Sequence, residues 1–131
     1  MKRILVIDDD WQFLRLLTEM LMEAGHEIHS VDNGREALEL LRTQGPWDVL
    51  LCDILMPRPD GIEVILSIRK LSSQQKIIAM TGGGRYLDAE QVLRMVQDLG
   101  ILEVLRKPFS MARLLEVIEG QDLSEPPDAP A

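Results

Sequence analysis

The stretch ILVIDDD, residues 4–10, places four apolar residues directly before three acids. Four consecutive apolar side chains leave no side of a strand for solvent, which is typical of a strand buried on both faces of a sheet. Two further runs of this kind follow, VLLC at residues 49–52 and IIAM at residues 77–80. A polar residue again follows each run. We therefore expect three central strands whose ends carry polar side chains.

The segments between these runs have apolar residues at helical spacing, and the chain contains five strand–helix units in all. This alternation predicts an α/β fold, a doubly wound five-stranded parallel sheet with helices on both faces. The more polar strand candidates, residues 27–31 and 102–106, belong at the edges. Right-handed crossovers then give the flavodoxin-like order 2-1-3-4-5. A fourth helix is expected from about residue 86 to residue 99, and a fifth from residue 111.

The length of 131 residues fits a single folded domain. From Gly120 the composition shifts to Pro, Asp, Glu and Ala, which predicts a domain over residues 1–120 and a disordered tail over residues 121–131. Trp11 and Trp47 lie near loop ends, so both are expected to be partly exposed.

The net charge of −8, from 22 acids against 14 bases, disfavours binding to nucleic acid and to anionic membranes. The apolar run at residues 4–7 is too short for a signal peptide, and no run approaches the roughly 18 residues of a membrane span. Cys52 is the only cysteine, so no intramolecular disulfide can form. These features predict a cytoplasmic protein that binds neither nucleic acid nor membrane.

Polar residues collect at the carboxyl edge of the predicted sheet: Asp8 and Asp9 after strand 1, Asp53 after strand 3, Thr81 after strand 4 and Lys107 after strand 5. Clustered carboxylates repel one another unless a proton or a cation intervenes. Oxygen ligands suit Mg²⁺, whereas a lysine and a hydroxyl suit phosphoryl oxygens. Because a carboxylate can attack phosphorus, the pattern predicts Mg²⁺-assisted phosphoryl transfer onto an aspartate.

Four motifs in this order resemble the receiver domain of two-component response regulators, of the single-domain chemotaxis type. They are residues 4–10, residues 53–57 (DILMP) with Asp60 and Gly61, Thr81, and residues 107–109 (KPF). Each motif is weak alone, but together they span nearly the whole chain, each one after a strand.

The resemblance implies a role for each acid. Asp53 accepts the phosphoryl group. Asp9 and Asp53 bind Mg²⁺ directly, together with the backbone carbonyl of Leu55. Asp8 completes the metal site through water.

The resemblance also implies that Thr81 hydrogen-bonds the phosphoryl group and moves on activation, and that Lys107 pairs with the phosphoryl oxygens. The bond between Lys107 and Pro108 is expected to be cis. Val104 departs from the family, which usually has Tyr or Phe at this position, so the aromatic switch coupled to the threonine is not expected in its usual form.

The function implied is that of a phosphoacceptor in a two-component phosphorelay. A histidine kinase or a histidine phosphotransfer protein donates the group, and a downstream protein binds the face formed by the predicted fourth helix, fifth strand and fifth helix. Such a protein is not an enzyme, because it assists only its own phosphorylation and dephosphorylation.

Two other functions stay open at this point. A haloacid-dehalogenase-like phosphatase would use Asp8 as nucleophile with Asp10 two residues on, although Gln12 replaces the expected Thr or Val. A pseudo-receiver would bind partners without phosphorylation, and Val104 is its only support.

Overall fold

A computed structural model of the chain describes residues 1–56, 60–82, 94 and 96–123. Five strands and four α-helices alternate along these residues. They are β1 (Arg3–Ile7), α1 (Trp11–Glu23), β2 (Glu27–Val31), α2 (Gly34–Gln44), β3 (Val49–Asp53), α3 (Gly61–Leu71), β4 (Ile77–Thr81), a 3-10 turn (Gln97–Leu99), β5 (Glu103–Arg106) and α4 (Met111–Leu123). Most of the predicted fourth helix lies outside the described residues, so α4 is the fifth helix of the sequence prediction.

The sheet is parallel and has the order β2-β1-β3-β4-β5, which confirms the predicted topology. Ile7 at the end of β1 pairs with Cys52 of β3, and Asp53 pairs with Met80 of β4. This register brings the carboxyl ends of neighbouring strands to the same height. The residues that follow the strands therefore meet at one edge.

Alternate side chains of each central strand enter one of two cores. Leu5 and Ile7 belong to the core beneath α2 and α3, whereas Ile4 and Val6 belong to the core beneath α1 and α4. β3 and β4 are buried along their whole length, while β2 and β5 carry exposed positions. The prediction of central and edge strands is confirmed, because only a strand covered on both faces can be apolar throughout.

Side-chain caps begin α1 and α3, the helices that follow the two strands with acids at their ends. The Asp10 carboxylate accepts hydrogen bonds from the amides of Gln12 and Phe13 at 3.2 Å each, as expected for a helix cap. Asp60 and Glu63 form a reciprocal capping box at the start of α3. Both caps fix the loop that joins a strand end to the following helix.

Trp11 is 61% exposed, but the expectation of partial exposure is wrong for Trp47, which is 4% exposed. The Arg3 guanidinium lies 3.8 Å from the centre of the Trp47 ring, and the His29 ring packs against it at 4.6 Å. The Gln75 side-chain amide accepts from the Trp47 backbone N–H and donates to its carbonyl. Side chains of β1 and β2 therefore cover the ring, and Gln75 fixes the backbone of the same residue.

The last helix continues to Leu123, three residues beyond the predicted end of the domain at residue 120. Residues 124–131 of the predicted tail lie outside the described residues. The boundary between domain and disordered tail stays a prediction. None of the described helices has the length and apolar character needed to cross a membrane.

Gly61, the first residue of α3, lies directly against the backbone of Asp53 and Ile54. Its N–H donates to the Ile54 carbonyl at 3.1 Å, and a Cβ built on it would lie 2.2 Å from the Asp53 carbonyl oxygen and 2.4 Å from the Ile54 Cα. We expect Gly61→Ala to lower the free energy of unfolding by about 1–3 kcal/mol, because backbone atoms must move to admit the methyl group. Urea unfolding measures this loss.

Gly120→Ala is the matched control, since a Cβ at this exposed position of α4 has nothing within 4 Å. In a helix this change should be neutral or stabilising, by up to about 1 kcal/mol. If Gly61→Ala unfolds at the same urea concentration as wild type, the contact between Gly61 and the backbone of residues 53 and 54 does not require glycine.

Candidate functional site

Three carboxylates cluster at the carboxyl edge of the sheet. Asp8, Asp9 and Asp53 can each supply one oxygen such that these atoms lie within 4.8 Å of one another. Asp8 and Asp53 are buried, at 0% and 4% exposure, whereas Asp9 is exposed. Thus the structure brings together the three acids that the sequence predicted as metal ligands.

Lys107 provides the positive charge of this cluster. Its Nζ lies 2.7 Å from Asp8 Oδ2 and 3.7 Å from Asp53 Oδ2, and its side chain is 18% exposed. The Lys107 backbone N–H donates to the Thr81 carbonyl at 2.8 Å, which fixes the ends of β4 and β5 to each other. The bond between Lys107 and Pro108 is cis, as predicted.

Backbone amides orient the two buried carboxylates. The Asp10 N–H donates to Asp8 Oδ1 at 2.9 Å, and the Leu55 N–H donates to Asp53 Oδ1 at 3.3 Å. Each carboxylate therefore uses one oxygen for the loop that follows its own strand. The second oxygen of each points to the Lys107 side of the site.

The remaining predicted positions lie around this cluster. Thr81 is fully buried at the end of β4, and the side chain of Leu55 is 39% exposed. Val104 is partly buried and packs against the core beneath α2 and α3. The predicted metal-binding role of the Leu55 carbonyl and the predicted phosphoryl contact of Thr81 stay predictions.

Burial and repulsion shift the acidity of the cluster. Burial, followed by the neighbouring Asp8 carboxylate, raises the pKa of Asp53 to about 7, although Lys107 and the Leu55 amide oppose the shift. Burial and Asp8 also raise the pKa of Asp9. A proton or a cation is therefore needed to offset the negative charge at this edge.

The donor set of the site fits a hard divalent cation. It consists of carboxylate oxygens, one of them at an exposed residue, with no sulfur or imidazole among the clustered ligands. Mg²⁺ prefers such oxygen ligands and retains several waters, so it can also accept an oxygen from a phosphoryl group. A lysine ammonium beside such a set of acids suits the other oxygens of a phosphoryl group, and the role of Lys107 in binding them stays a prediction.

A family model described as the response regulator receiver domain matches residues 4–119. The chain belongs to this family. It is 37% identical over 120 residues to the response regulator receiver protein CpdR of Brucella abortus, covering 91% of this chain and 95% of that protein. These findings confirm the family that the four sequence motifs predicted.

Other relatives of this receiver domain are longer. The chain is 33% identical over 119 residues to the transcriptional regulatory protein CpxR homolog of Haemophilus influenzae, covering 91% of this chain and 49% of that protein. It thus spans about half the length of several curated relatives that it matches.

A solved relative is the response regulator protein TrrA of Thermotoga maritima. Its structure in complex with Mg(2+)-BeF is 35% identical to this receiver domain, with a TM-score of 0.75 and coverage of 92% of this chain and 98% of that one. A second structure has TrrA in complex with the histidine kinase ThkA, with 36% identity, a TM-score of 0.76 and coverage of 92% and 97%.

Sequence reasoning missed Phe13, whose ring centre lies 4.3 Å from Lys107 Nζ. The available signal was the position of an aromatic residue in the first turn of the helix that follows the acidic run. This signal is weak, because the same residue type at the same spacing also suits a helix core.

The raised pKa of Asp53 predicts how stability depends on pH in metal-free buffer. The folded state binds this proton more tightly than the unfolded chain, in which an aspartate has a pKa of about 3.9. The contribution to stability is therefore complete below pH 4 and is lost as the pH rises to about 7. We expect the free energy of unfolding of wild type to fall over this range relative to that of Asp53→Asn.

Chemical denaturation at a series of pH values measures this difference. Subtracting the curve of Asp53→Asn from that of wild type removes the contribution of the histidines, which both proteins share. Asp98→Asn, which changes an exposed carboxylate in the 3-10 turn, is the control and should follow wild type. Parallel curves for wild type and Asp53→Asn would contradict the raised pKa.

Proposed function

We propose that this receiver domain accepts a phosphoryl group on Asp53 from a histidine kinase or a histidine phosphotransfer protein, with Mg²⁺ as cofactor. The observation that carries the proposal is the buried Asp53 carboxylate, which ends a central strand beside Asp8 and Asp9 and lies 3.7 Å from Lys107 Nζ. The site combines a nucleophile, a cation-binding set of acids and a neighbouring positive charge.

The transfer is a displacement at phosphorus. An Asp53 carboxylate oxygen forms the new O–P bond while the P–N bond to the donor imidazole breaks. The electron pair of that bond passes to the nitrogen, and because the other ring nitrogen of the phosphohistidine carries a proton, the donor histidine leaves as neutral imidazole. Lys107 stabilises the negative charge on the equatorial oxygens, and Thr81 donates its hydroxyl to one of them.

The metal would be held by Asp9, Asp53 and the Leu55 backbone carbonyl, with Asp8 acting through water. When bound, Mg²⁺ supplies neutralisation of the acidic cluster and of the phosphoryl oxygens. The ionised form of Asp53 is the nucleophile, and a cation favours that form by opposing the repulsion from Asp8. TrrA, a relative with 35% identity, has been solved with Mg(2+)-BeF, which supports this assignment.

An apolar groove beside the site supports a helical protein as the phosphodonor. The groove has a volume of about 200 Å³ and is lined by Phe13, Leu16, Leu17, Met20, Phe109 and Met111. Leu16 and Met20 are exposed on α1, and Phe13 joins the groove to Lys107. A donor that rests its apolar side chains here would bring its histidine close to Asp53. The complex of TrrA with the histidine kinase ThkA supports a donor of this class.

The output of the domain is a change of conformation that a downstream protein reads. We assign this contact to the face of the predicted fourth helix, β5 and α4. Within this face Arg113 of α4 pairs with Glu103 of β5 at 2.9 Å. The protein is a signalling phosphoacceptor in this proposal, and its chemistry is confined to its own phosphorylation and dephosphorylation.

The geometry disfavours the two alternatives. In a phosphatase, Asp8 would be the nucleophile, but its two oxygens are engaged by the Asp10 amide and by Lys107, and its side chain has no exposed surface. The Asp10 carboxylate, which such an enzyme would need as its acid, caps α1 instead. A pseudo-receiver has no use for an intact set of acids around a lysine.

We expect wild type to gain the mass of one phosphoryl group when it is incubated with phosphoramidate and Mg²⁺. Asp53→Asn should gain none, because an amide cannot form the acyl phosphate, while its circular dichroism stays that of a folded protein. Mass spectrometry with mapping of the modified residue measures both results. Modification of Asp8 in wild type would instead support the phosphatase.

We expect Mg²⁺ to raise the Tm of wild type by a few degrees, because it binds only the folded arrangement of acids. Asp9→Asn should reduce this shift, since it removes one ligand. Asp10→Asn is the matched control, because it changes an adjacent acid that caps α1, and asparagine caps equally well. Differential scanning calorimetry measures the shifts. An equal shift in wild type and Asp9→Asn would show that Asp9 is not a ligand.

A further inference from the structure

The Lys107 ammonium has a third neighbour that carries no charge. The centre of the Phe13 ring lies 4.3 Å from Nζ, within the range at which a cation is attracted to an aromatic face. Lys107 is mostly buried, at 18% exposure, so water does little to screen this attraction. The ammonium is thus held between two carboxylates and a ring.

The Phe13 ring is itself fixed from two directions. The backbone N–H of Phe13 donates to the Asp10 carboxylate at 3.2 Å, in the first turn of α1. Its ring meets the Phe109 ring edge to face, with 6.0 Å between centres and 89° between planes. Phe109 lies two residues after Lys107, so the same loop that carries the lysine also orients the ring.

The Lys107 side chain is flexible, so a contact such as the one with Phe13 is needed to hold its ammonium near a phosphoryl group on Asp53. Its Nζ is 1.0 Å closer to Asp8 than to Asp53, and the long side chain loses substantial rotamer freedom when it is confined. An aromatic face attracts a cation over a broad area without a fixed hydrogen-bond direction. The ammonium can therefore shift from Asp8 toward a phosphoryl group on Asp53 while it stays above the ring.

We propose that Phe13 is a positioning residue that holds the Lys107 ammonium over the phosphoacceptor during phosphoryl transfer. This role rests on the proposed function of Asp53. The property of Phe13 that affects the reaction rate is then the negative potential of its ring face, and not the apolar volume that it fills in the groove. Replacing the ring by an aliphatic side chain should slow phosphorylation, because the Lys107 ammonium would then lie near the phosphoryl oxygens for a smaller fraction of the time.

The test replaces Phe13 by phenylalanines with one, two and three ring fluorines, which withdraw charge from the face and leave the shape of the ring nearly unchanged. The rate constant for phosphorylation by phosphoramidate at saturating Mg²⁺ is measured for each protein. It should fall stepwise with fluorine number. Phe13→Leu should be about fivefold slower than wild type, the equivalent of about 1 kcal/mol, whereas Phe13→Tyr should keep the wild-type rate.

The same fluorine series at Phe109 is the matched control. It changes the ring that meets Phe13 edge to face but is not the ring beneath the ammonium, so the rate should depend on fluorine number much less steeply than in the Phe13 series. Proton NMR gives a second readout: the ring current of Phe13 should shift the Lys107 ε-methylene protons upfield, and Phe13→Leu should abolish the shift.

The outcomes separate this proposal from the proposed function. If wild type takes up no phosphoryl group at Asp53, the proposed function fails and this role fails with it. If wild type is phosphorylated and the fluorinated proteins react at the same rate, Phe13 serves only as packing and the proposal is overturned. If Phe13→Leu does not fold, the fluorinated proteins, which keep the ring, still decide the question.

Discussion

Charge balance at the carboxyl edge of the sheet is the constraint on which the site depends. Two buried carboxylates, Asp8 and Asp53, share one ammonium group, and Lys107 lies closer to Asp8. One cation cannot neutralise two buried anions and the exposed Asp9 beside them, and Asp53 responds with a pKa raised to about 7. This deficit of positive charge is the feature of the edge on which the proposed binding of a divalent cation and a phosphoryl group rests.

The surrounding fold keeps these repelling groups close together. The parallel register sets the strand ends at one height, and backbone contacts then fix the loops that follow them. Gly61 lies directly against the backbone of residues 53 and 54, and the Lys107 N–H is bonded to the Thr81 carbonyl. Main-chain contacts of this kind do not depend on charge. They therefore hold the ends of β3, β4 and β5 together against the repulsion between the acids.

Most of the fold could be predicted from the sequence, because a strand that is buried on both faces consists of consecutive apolar residues. The apolar runs identified the central strands, and the acids, Thr81 and Lys107 that follow them identified the site. The burial of Trp47 could not be predicted, since Arg3 and His29, which cover its ring, and Gln75, which fixes its backbone, are distant in sequence. Phe13 was missed for the same reason: only the three-dimensional structure shows that its ring faces a lysine 94 residues further along the chain.

The amino edge of the sheet differs from the carboxyl edge, because Arg69 and Gln75 at this edge have complementary hydrogen-bond partners. There, Arg69 donates to the carbonyls of Leu99, Gly100 and Gln75, and the Gln75 amide pairs with the Trp47 backbone. These bonds leave one charged group surrounded by acceptors, which is a satisfied arrangement. The carboxyl edge instead confines acids that repel one another. Among the described residues, repulsion between acids is concentrated at the carboxyl edge, where a cation can relieve it, while the two apolar cores supply stability that offsets it. Under the proposed function, this division would let the charge on Asp53 change while the two apolar cores keep their packing.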